Sequence, residues 1–586
     1  MERVSIAIVA DHILSPLGNG TTENLQAVLR GDSALRRYER WHDIPEAFTA
    51  SLFDWQQINQ LAADAGISDS YTRFEKICIL SIRQALAKTD IDPTSSRVIF
   101  VFSSTKANVE LLDNAIAANY PDADVAPALT ARRIAAYFGN HVMPVMVSNA
   151  CISGLCAQIV AMRLLGDGCY DHAIVCGADV QSPFIVTGFQ SFKALDPDTC
   201  RPFDNDRQGL NLGEAAATLI LSSVRSEELG VKWTLQAGAV CNDANHISGP
   251  SRTGEGSFRA IQKVLTGMDA EQIDAVGVHG TATRYNDEME SIALARAGLD
   301  HTPIAALKGY YGHTMGAAGI LETIISLHAL DQNIVPAVRG YSSCGTSHEL
   351  NISSDSRTLS AEPHNFIKLL SGFGGCNAAI RYHKQLGVRS EKLGVHLNSP
   401  LSTLKTKEVR ITANEVFIDD QAIDTDGKTG KELLRHLYTT YVGDYPKFYK
   451  MDPLSRLGFL ASELLLRDEQ PRLTDTDSRA VIFFNRSGSI ADDTLYQATI
   501  APDNFFPEPA RFVYTLPNIV TGEIAIRNRL FSETSFYLLP DEDEEMMERI
   551  CKQAFNADPA CRSIIAGWVE ALTADDFRAT LRLYQQ

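Results

Sequence analysis

The sequence predicts a layered α/β fold, and three stretches carry the prediction. His141–Val147 is an apolar, strand-like run. It leads through Ser148-Asn-Ala-Cys151-Ile-Ser-Gly154 into a helical pattern, Leu155 to Leu165, and then into a strand pattern, His172–Cys176. A second strand pattern, Ile273–Val278, ends on His279 within His-Gly-Thr281-Ala-Thr283. A third short strand gives way to Lys308-Gly-Tyr-Tyr-Gly-His313-Thr-Met-Gly-Ala-Ala-Gly319, which opens the apolar helix Ile320 to Leu330. Strands alternating with helical patterns argue for a sheet covered by helices.

Each strand exit presents a residue with chemistry. Cys151 sits where a strand turns into a helix, and the free amides there stabilise a thiolate or an oxyanion. Position alone leaves a buried core cysteine equally open. His279 and His313 stand at the other two exits, beside small, hydroxylated or glycine residues, as in a site built on rigid elements with room for substrate.

Composition sets bounds on the class. The chain has 586 residues, 45% hydrophobic and 21% charged, ordinary for a soluble globular enzyme with several domains or one large core plus an addition. A net charge of −19 argues against nucleic acid and anionic membranes as partners. The 11 cysteines form no Cys-x-x-Cys pair, which reads as a reducing compartment without disulfide framework or metal site. The N-terminus runs directly into strand-like Val4–Val9 without a signal-peptide pattern, and no apolar run reaches the roughly 18 residues needed to span a bilayer. The expectation is a cytoplasmic protein without a membrane span.

Five motifs in order resemble the β-ketoacyl synthases, condensing enzymes of the thiolase fold. They are Ser15-Pro-Leu-Gly-Asn-Gly20; the Cys151 turn; Arg201-Pro-Phe-Asp-Asn-Asp-Arg-Gln-Gly209 with Leu212-Gly-Glu-Ala215; the two histidine exits; and Ser371-Gly-Phe-Gly-Gly-Cys-Asn377. The resemblance covers about the first 385 residues. It implies a thiolase-like α-β-α-β-α layering and an elongating acyltransferase without a cofactor. Cys151 would carry an acyl chain as a thioester. The amides of Cys151 and Phe373 would hold the oxyanion, each such donor supplying about 2.7–4 kcal/mol. His279 and His313 would both donate to the enolate left when a malonyl unit loses carbon dioxide. Lys308 and Glu322 match positions that support this site, and Thr281 and Thr283 would line the substrate path. Phe373, between Gly372 and Gly374-Gly375, matches a residue that gates acyl access, and His246 in Asn242-Asp-Ala-Asn-His246 matches a loop that moves with it.

His at the second basic position separates the elongating type from priming synthases, which carry Asn there. Cys376 in the late turn leaves a degradative thiolase reading with small weight. The implied partner is an acyl carrier protein bearing phosphopantetheine thioesters, received on a local basic patch, with Arg132-Arg133 and Arg36-Arg37 as candidates. The implied assembly is a homodimer, or a heterodimer with a second synthase-like subunit.

The expected division is a synthase domain over 1–388, with halves at about 1–225 and 226–388, a linker over 389–404, and a half-thiolase-like, non-catalytic domain over 405–586. Arg97-Val-Ile-Phe-Val-Phe-Ser-Ser matches Arg479-Ala-Val-Ile-Phe-Phe-Asn-Arg-Ser, and Ile134-Ala135 matches Ile524-Ala525. In that register Asp541 falls where Cys151 would be. The segment resembles truncated synthase-like proteins of aryl polyene and flexirubin-type pigment pathways. The expected function is decarboxylative condensation in fatty acid-like or aryl polyene/polyketide biosynthesis. The competing reading is a non-catalytic chain-length factor or scaffold.

Overall fold

The computed structural model describes residues 4–42, 44–225, 232–385, 400–469, 476–501, 504–505 and 507–586. Most of the expected linker, 389–399, lies outside the described residues. No helix among the described residues is long and apolar enough to cross a membrane. All 11 cysteines are free thiols.

Three five-stranded arrays organise the chain. The first comprises β1 (Val4–Ser15), β2 (Val98–Ser103), β3 (Val145–Val147), β4 (His172–Asp179) and β5 (Ala215–Arg225), in the order β3–β2–β4–β5–β1. The second comprises β6 (Lys232–Asn242), β7 (Ala275–Gly277), β8 (Ile304–Ala305), β9 (Asn365–Gly372) and β10 (Cys376–Gln385), in the order β8–β7–β9–β10–β6. Between these two arrays lie the helices α3 (Ser153–Gly166) and α5 (Ala318–Leu330), both apolar nearly all round. Helices α1 (Arg73–Leu86) and α2 (Pro127–Tyr137) cover the outside of the first array, and α4 (Pro183–Ser191) packs beside it. With the helices Glu255–Val264 and Arg284–Arg296 on the outside of the second array, the thiolase-like five-layer fold is present. The central helices cross at Gly154 and Gly319, where a Cβ on Gly154 would lie 2.9 Å from the Gly316 carbonyl. Only glycine allows this approach, which brings the starts of α3 and α5 together.

The third array repeats the first. It comprises β11 (Lys405–Thr412), β12 (Arg479–Asn485), β13 (Thr534–Leu538), β14 (Ser563–Ala571) and β15 (Phe577–Gln585), in the order β13–β12–β14–β15–β11. Strand directions match as well, parallel at β12–β13 and β12–β14 and antiparallel at β14–β15 and β11–β15. Helices α6 (Pro453–Leu465), α8 (Ile519–Asn528) and α9 (Glu544–Ala557) occupy the places of α1, α2 and α3, with the short α7 (Pro509–Tyr514) preceding α8. The match of Arg97 with Arg479 needs correcting by one residue. The carbonyl of Arg97 accepts from the His172 amide, and it is the carbonyl of Ser478 that accepts from Ser563. A one-residue slip exchanges the two faces of a strand, so this shift matters. Farther on the register holds. Val101 pairs with Val145 and Ile482 pairs with Ser535, which aligns Cys151 with Asp541.

The repeated array joins the first edge to edge. β13 pairs antiparallel with β3, Tyr537 opposite Val147 and Leu538 opposite Met146. Because Tyr537 is the counterpart of Val147, the pairing centres on a local pseudo-two-fold axis. Buried ion pairs flank it. Arg163 on α3 grips Glu533 with two hydrogen bonds of 3.0 and 2.9 Å, and Lys106 after β2 pairs with Asp493 at 2.7 Å.

Candidate active site

Cys151 stands on a single 3-10 turn, Ala150–Ile152, between β3 and α3. Ala150 takes φ of 48°, a conformation that costs a non-glycine residue about 1–3 kcal/mol. The turn is held by Ser153, whose hydroxyl donates to the Ala150 carbonyl (2.6 Å) and accepts from the Asn149 amide (2.8 Å). The side-chain carbonyl of Asn149 accepts from the Phe536 amide across the edge joining β3 and β13 (2.7 Å). The sharp turn aims the Cys151 side chain into a cavity of ≈ 500 Å³.

The Sγ of Cys151 and ring nitrogens of His279 and His313 all lie within 4.8 Å of one another. The two imidazoles meet edge to face at 5.1 Å. His313 Nδ1 accepts from the Met315 amide (3.3 Å), which leaves Nε2 as the protonated nitrogen, without a partner and able to donate to a ligand. Burial, reinforced by Lys308, holds both imidazoles well below the ordinary histidine value, so they are neutral donors at physiological pH. Burial pushes the Cys151 thiol up to about 12, opposed by Lys308. One face of the residue still opens into the cavity, and burial favours the thiol over the thiolate.

Beneath the histidines lies a buried charge network. Lys308 Nζ donates to the His279 carbonyl (2.5 Å) and pairs with Glu322 (2.8 Å). Lys368 on β9 donates to the Val278 carbonyl (2.7 Å) and pairs with the other oxygen of Glu322 (2.6 Å). These side chains are 0–4% exposed, which is tolerable only because each charge is paired. Burial pushes the Glu322 carboxyl up, but the two ammonium groups outweigh it and hold it below the usual range. Lys368 has no motif to mark it; the one signal is a lysine in the otherwise apolar run Phe366–Leu370.

Two more acids escaped the sequence analysis. Glu290 accepts from the amides of His279 (2.6 Å) and Gly280 (2.8 Å), and Asp287 from those of Thr281 (3.1 Å) and Phe203 (2.7 Å). They pin the loop that carries His279. Thr281 and Thr283, hydroxyls 2.9 Å apart, line the cavity with Phe373. Gly374 and Gly375 take φ of 90° and 70°, which side-chain-bearing residues rarely adopt, so the loop depends on both glycines. His246 is exposed and outside the cavity wall; its Nδ1 accepts from the amides of Ser248 (3.1 Å) and Gly249 (3.2 Å). Cys376 is buried behind the loop, its thiol directed at the Phe373 carbonyl (3.2 Å), and gives a thiolase reading no second exposed sulfur.

Three of the four arginines in the expected basic patches carry ion pairs, and Arg132 and Arg37 remain about half exposed. Arg133 pairs with buried Glu75 (2.8 Å), Arg132 with Asp541, and Arg37 with Glu39 (2.7 Å). Cationic side chains at the cavity mouth come instead from Lys193 and Arg284.

Known proteins share this fold, and a known family matches much of this sequence. Residues 3–226 match the description "Beta-ketoacyl synthase, N-terminal domain" and residues 234–342 match "Beta-ketoacyl synthase, C-terminal domain". The tetracenomycin polyketide synthase ketoacyl synthase alpha subunit of Streptomyces glaucescens is 26% identical over 417 residues, covering 64% of this chain and 96% of that one. Polyketide β-ketoacyl synthase relatives from Streptomyces halstedii and Streptomyces cyaneus reach 31% identity, and there the chain spans 64% of their length. Among solved structures, the ishigamide ketosynthase/chain length factor superposes with a TM-score of 0.58 at 24% identity, covering 66% of this chain and 100% of that one. The PfaC keto synthase-chain length factor superposes along the whole chain, with a TM-score of 0.73 at 14% identity, covering 78% of that chain. Over its first 340 or so residues, this chain belongs to the β-ketoacyl synthase family.

Proposed function

We propose that the protein is an elongating β-ketoacyl-[acyl carrier protein] synthase. The observation that carries this reading is the convergence of Cys151, His279 and His313 within 4.8 Å on one cavity. In the first step Cys151 loses its proton to solvent and the thiolate Sγ attacks an acyl thioester. The carbon–sulfur bond to the carrier breaks, and the carrier thiolate takes up a proton. The Cys151 amide at the start of α3 and the Phe373 amide stabilise the oxyanion. In the second step a malonyl thioester loses carbon dioxide. The resulting enolate oxygen receives hydrogen bonds from His279 and His313, and its carbon attacks the Cys151 thioester. The carbon–sulfur bond to Cys151 breaks, a β-ketoacyl carrier forms, and the departing Cys151 thiolate takes a proton from solvent to regenerate the thiol. Lys308, Glu322 and Lys368 position the His279 loop. No cofactor enters this chemistry.

Residues 1–388 form the catalytic domain in this reading, and 405–586 form a non-catalytic half-synthase. Asp541, at the nucleophile's place, supports this. It is paired with Arg132 and with Arg486 (3.3 Å) and is half-exposed. The β3 edge is filled by the chain's own β13. A synthase-and-partner pair is thus built within one chain. The implied carrier is an acyl carrier protein. The product class is fatty acid-like or polyketide; no relative named above carries the narrower aryl polyene expectation. Free cysteines fit a cytoplasmic setting.

The test is product formation from an acyl-carrier and a malonyl-carrier, read by mass spectrometry with carbon dioxide release. A β-ketoacyl carrier from the parent protein and none from Cys151→Ala is expected. Absence of product, with stimulation of a separate synthase, would replace this reading with that of a chain-length factor.

A further inference from the structure

Resting on that reading, we infer that Asn518 in the non-catalytic region is a positioning residue for the catalytic loop Gly372–Gly375. Asn518 stands at the first turn of α8, 145 residues from the loop in sequence. Its Nδ2 donates to the Phe373 carbonyl (2.8 Å) and lies 3.6 Å from Cys376 Sγ. The contact is close-packed: a Cβ on Gly374 would fall 2.6 Å from Asn518 Nδ2, and one on Gly522, the next turn of α8, would fall 2.6 Å from the Gly374 carbonyl. The neighbouring carbonyl, Gly374, accepts from Asn242 (2.9 Å), whose same amide nitrogen also contacts the Thr534 hydroxyl on β13 (3.0 Å). Both carbonyls of the Phe373-Gly374 pair are therefore tied, directly or through one side chain, to the repeated array.

The anchor behind Asn518 is equally specific. Lys106 of the catalytic domain reaches the Thr515 carbonyl and Asp493, fixing the turn that leads into α8. Holding the Phe373 carbonyl fixes the Phe373–Gly374 peptide plane, which joins through a single Cα to the plane carrying the Phe373 N–H, so the swing of the loop and of that N–H is limited. Among the described residues of the catalytic domain, the donor that reaches this carbonyl is the Cys376 thiol, a weak one. The region without a nucleophile thus completes a part of the site that the catalytic domain leaves loose.

The effect belongs to acyl transfer, which uses the Phe373 amide, and not to malonyl decarboxylation, which uses the two imidazoles. The experiment measures both half-reactions in the full chain. Acyl transfer to Cys151 is followed by intact mass with a hexanoyl thioester of pantetheine, and decarboxylation by carbon dioxide released from a malonyl thioester. Asn518→Leu keeps the branched shape and removes the donor; Asn518→Ala removes both and is read on the same two assays. We expect acyl transfer to fall about tenfold or more in both variants, with decarboxylation within twofold of the parent. Unchanged transfer, or an equal fall in both half-reactions, overturns the assignment. A parent protein that does not acylate Cys151 at all would instead remove the proposed function on which it rests.

Discussion

Two helices in equivalent places, α3 and α9, show how one topology serves two ends. Ser153–Leu165 of α3 are buried throughout, between two sheets, with Arg163 as the one charged side chain. α9 reads Glu-Glu-Met-Met-Glu-Arg-Ile-Cys-Lys-Gln-Ala-Phe-Asn-Ala, burying Met546, Met547, Ile550, Cys551 and Phe555 on one side while Glu544 and Glu545 face water. α3 needs a sheet on each side; α9 needs one. The repeat thus stands as an outer layer without a second half of its own. The turns before the two helices differ in the same sense. Cys151 opens into a cavity beside neutral imidazoles, while Asp541 faces outward between two arginines. The layout of strands survives in both regions, and what distinguishes them is the chemistry at one strand exit and the polarity of one helix.

The largest expected effect breaks the joint between the regions. Arg163→Met leaves Glu533 buried without its partner, and removal of one member of such a pair costs about 3–5 kcal/mol. Chemical denaturation should show that loss, with the repeated array unfolding earlier; an unchanged midpoint would mean the pair is not buried as described. Next, His279→Ala or His313→Ala should lower malonyl decarboxylation about 10²–10³-fold, by analogy with loss of one oxyanion donor. Acyl transfer to Cys151 should remain measurable. A histidine variant that condenses at the parental rate would take that residue out of the mechanism.

The pH dependence sharpens the contrast between the two half-reactions. With both imidazole values depressed, the neutral form persists from pH 8 down past pH 6, so decarboxylation should stay flat there. The Cys151 value of about 12 makes the thiolate fraction grow with pH. Acyl transfer should therefore climb by up to about tenfold per unit between pH 6 and 9. An inflection near 6.5 in decarboxylation would show that a histidine titrates at its ordinary value. The smallest effect belongs to Asp541→Asn, which should leave condensation within twofold of the parent, since its exposed ion pairs are worth about 1 kcal/mol or less.

The sequence pointed to Cys151, His279 and His313, and the structure brings these three side chains together. Cys151 and His279 follow strand ends beside small residues, and those signals are local; His313 instead follows the short helix Lys308–Tyr311 that the strand Ile304–Ala305 leads into. Lys368, Glu290 and Asp287 act through backbone groups and buried charges across separate elements, so nothing near them marks a role. Asn518 is less legible still: an asparagine at a helix start is common, and its meaning depends on a carbonyl brought from the other region. The fold of the repeat was readable from Ile134-Ala135 and Ile524-Ala525, equivalent buried positions on α2 and α8. The one-residue slip at Arg479 shows the limit, since apolar runs such as Val98–Phe102 and Ala480–Phe484 fit two registers until their neighbours choose one.

The central claim is that this chain holds one live site and one silent copy of it. The most direct measurement is the acyl stoichiometry of the intact chain, with the modified residue located by peptide mass. The account predicts one acyl group per 64.2-kDa chain, on Cys151, retained in Asp541→Asn and absent from Cys151→Ala. A second acyl group, or acylation that survives Cys151→Ala, would contradict it.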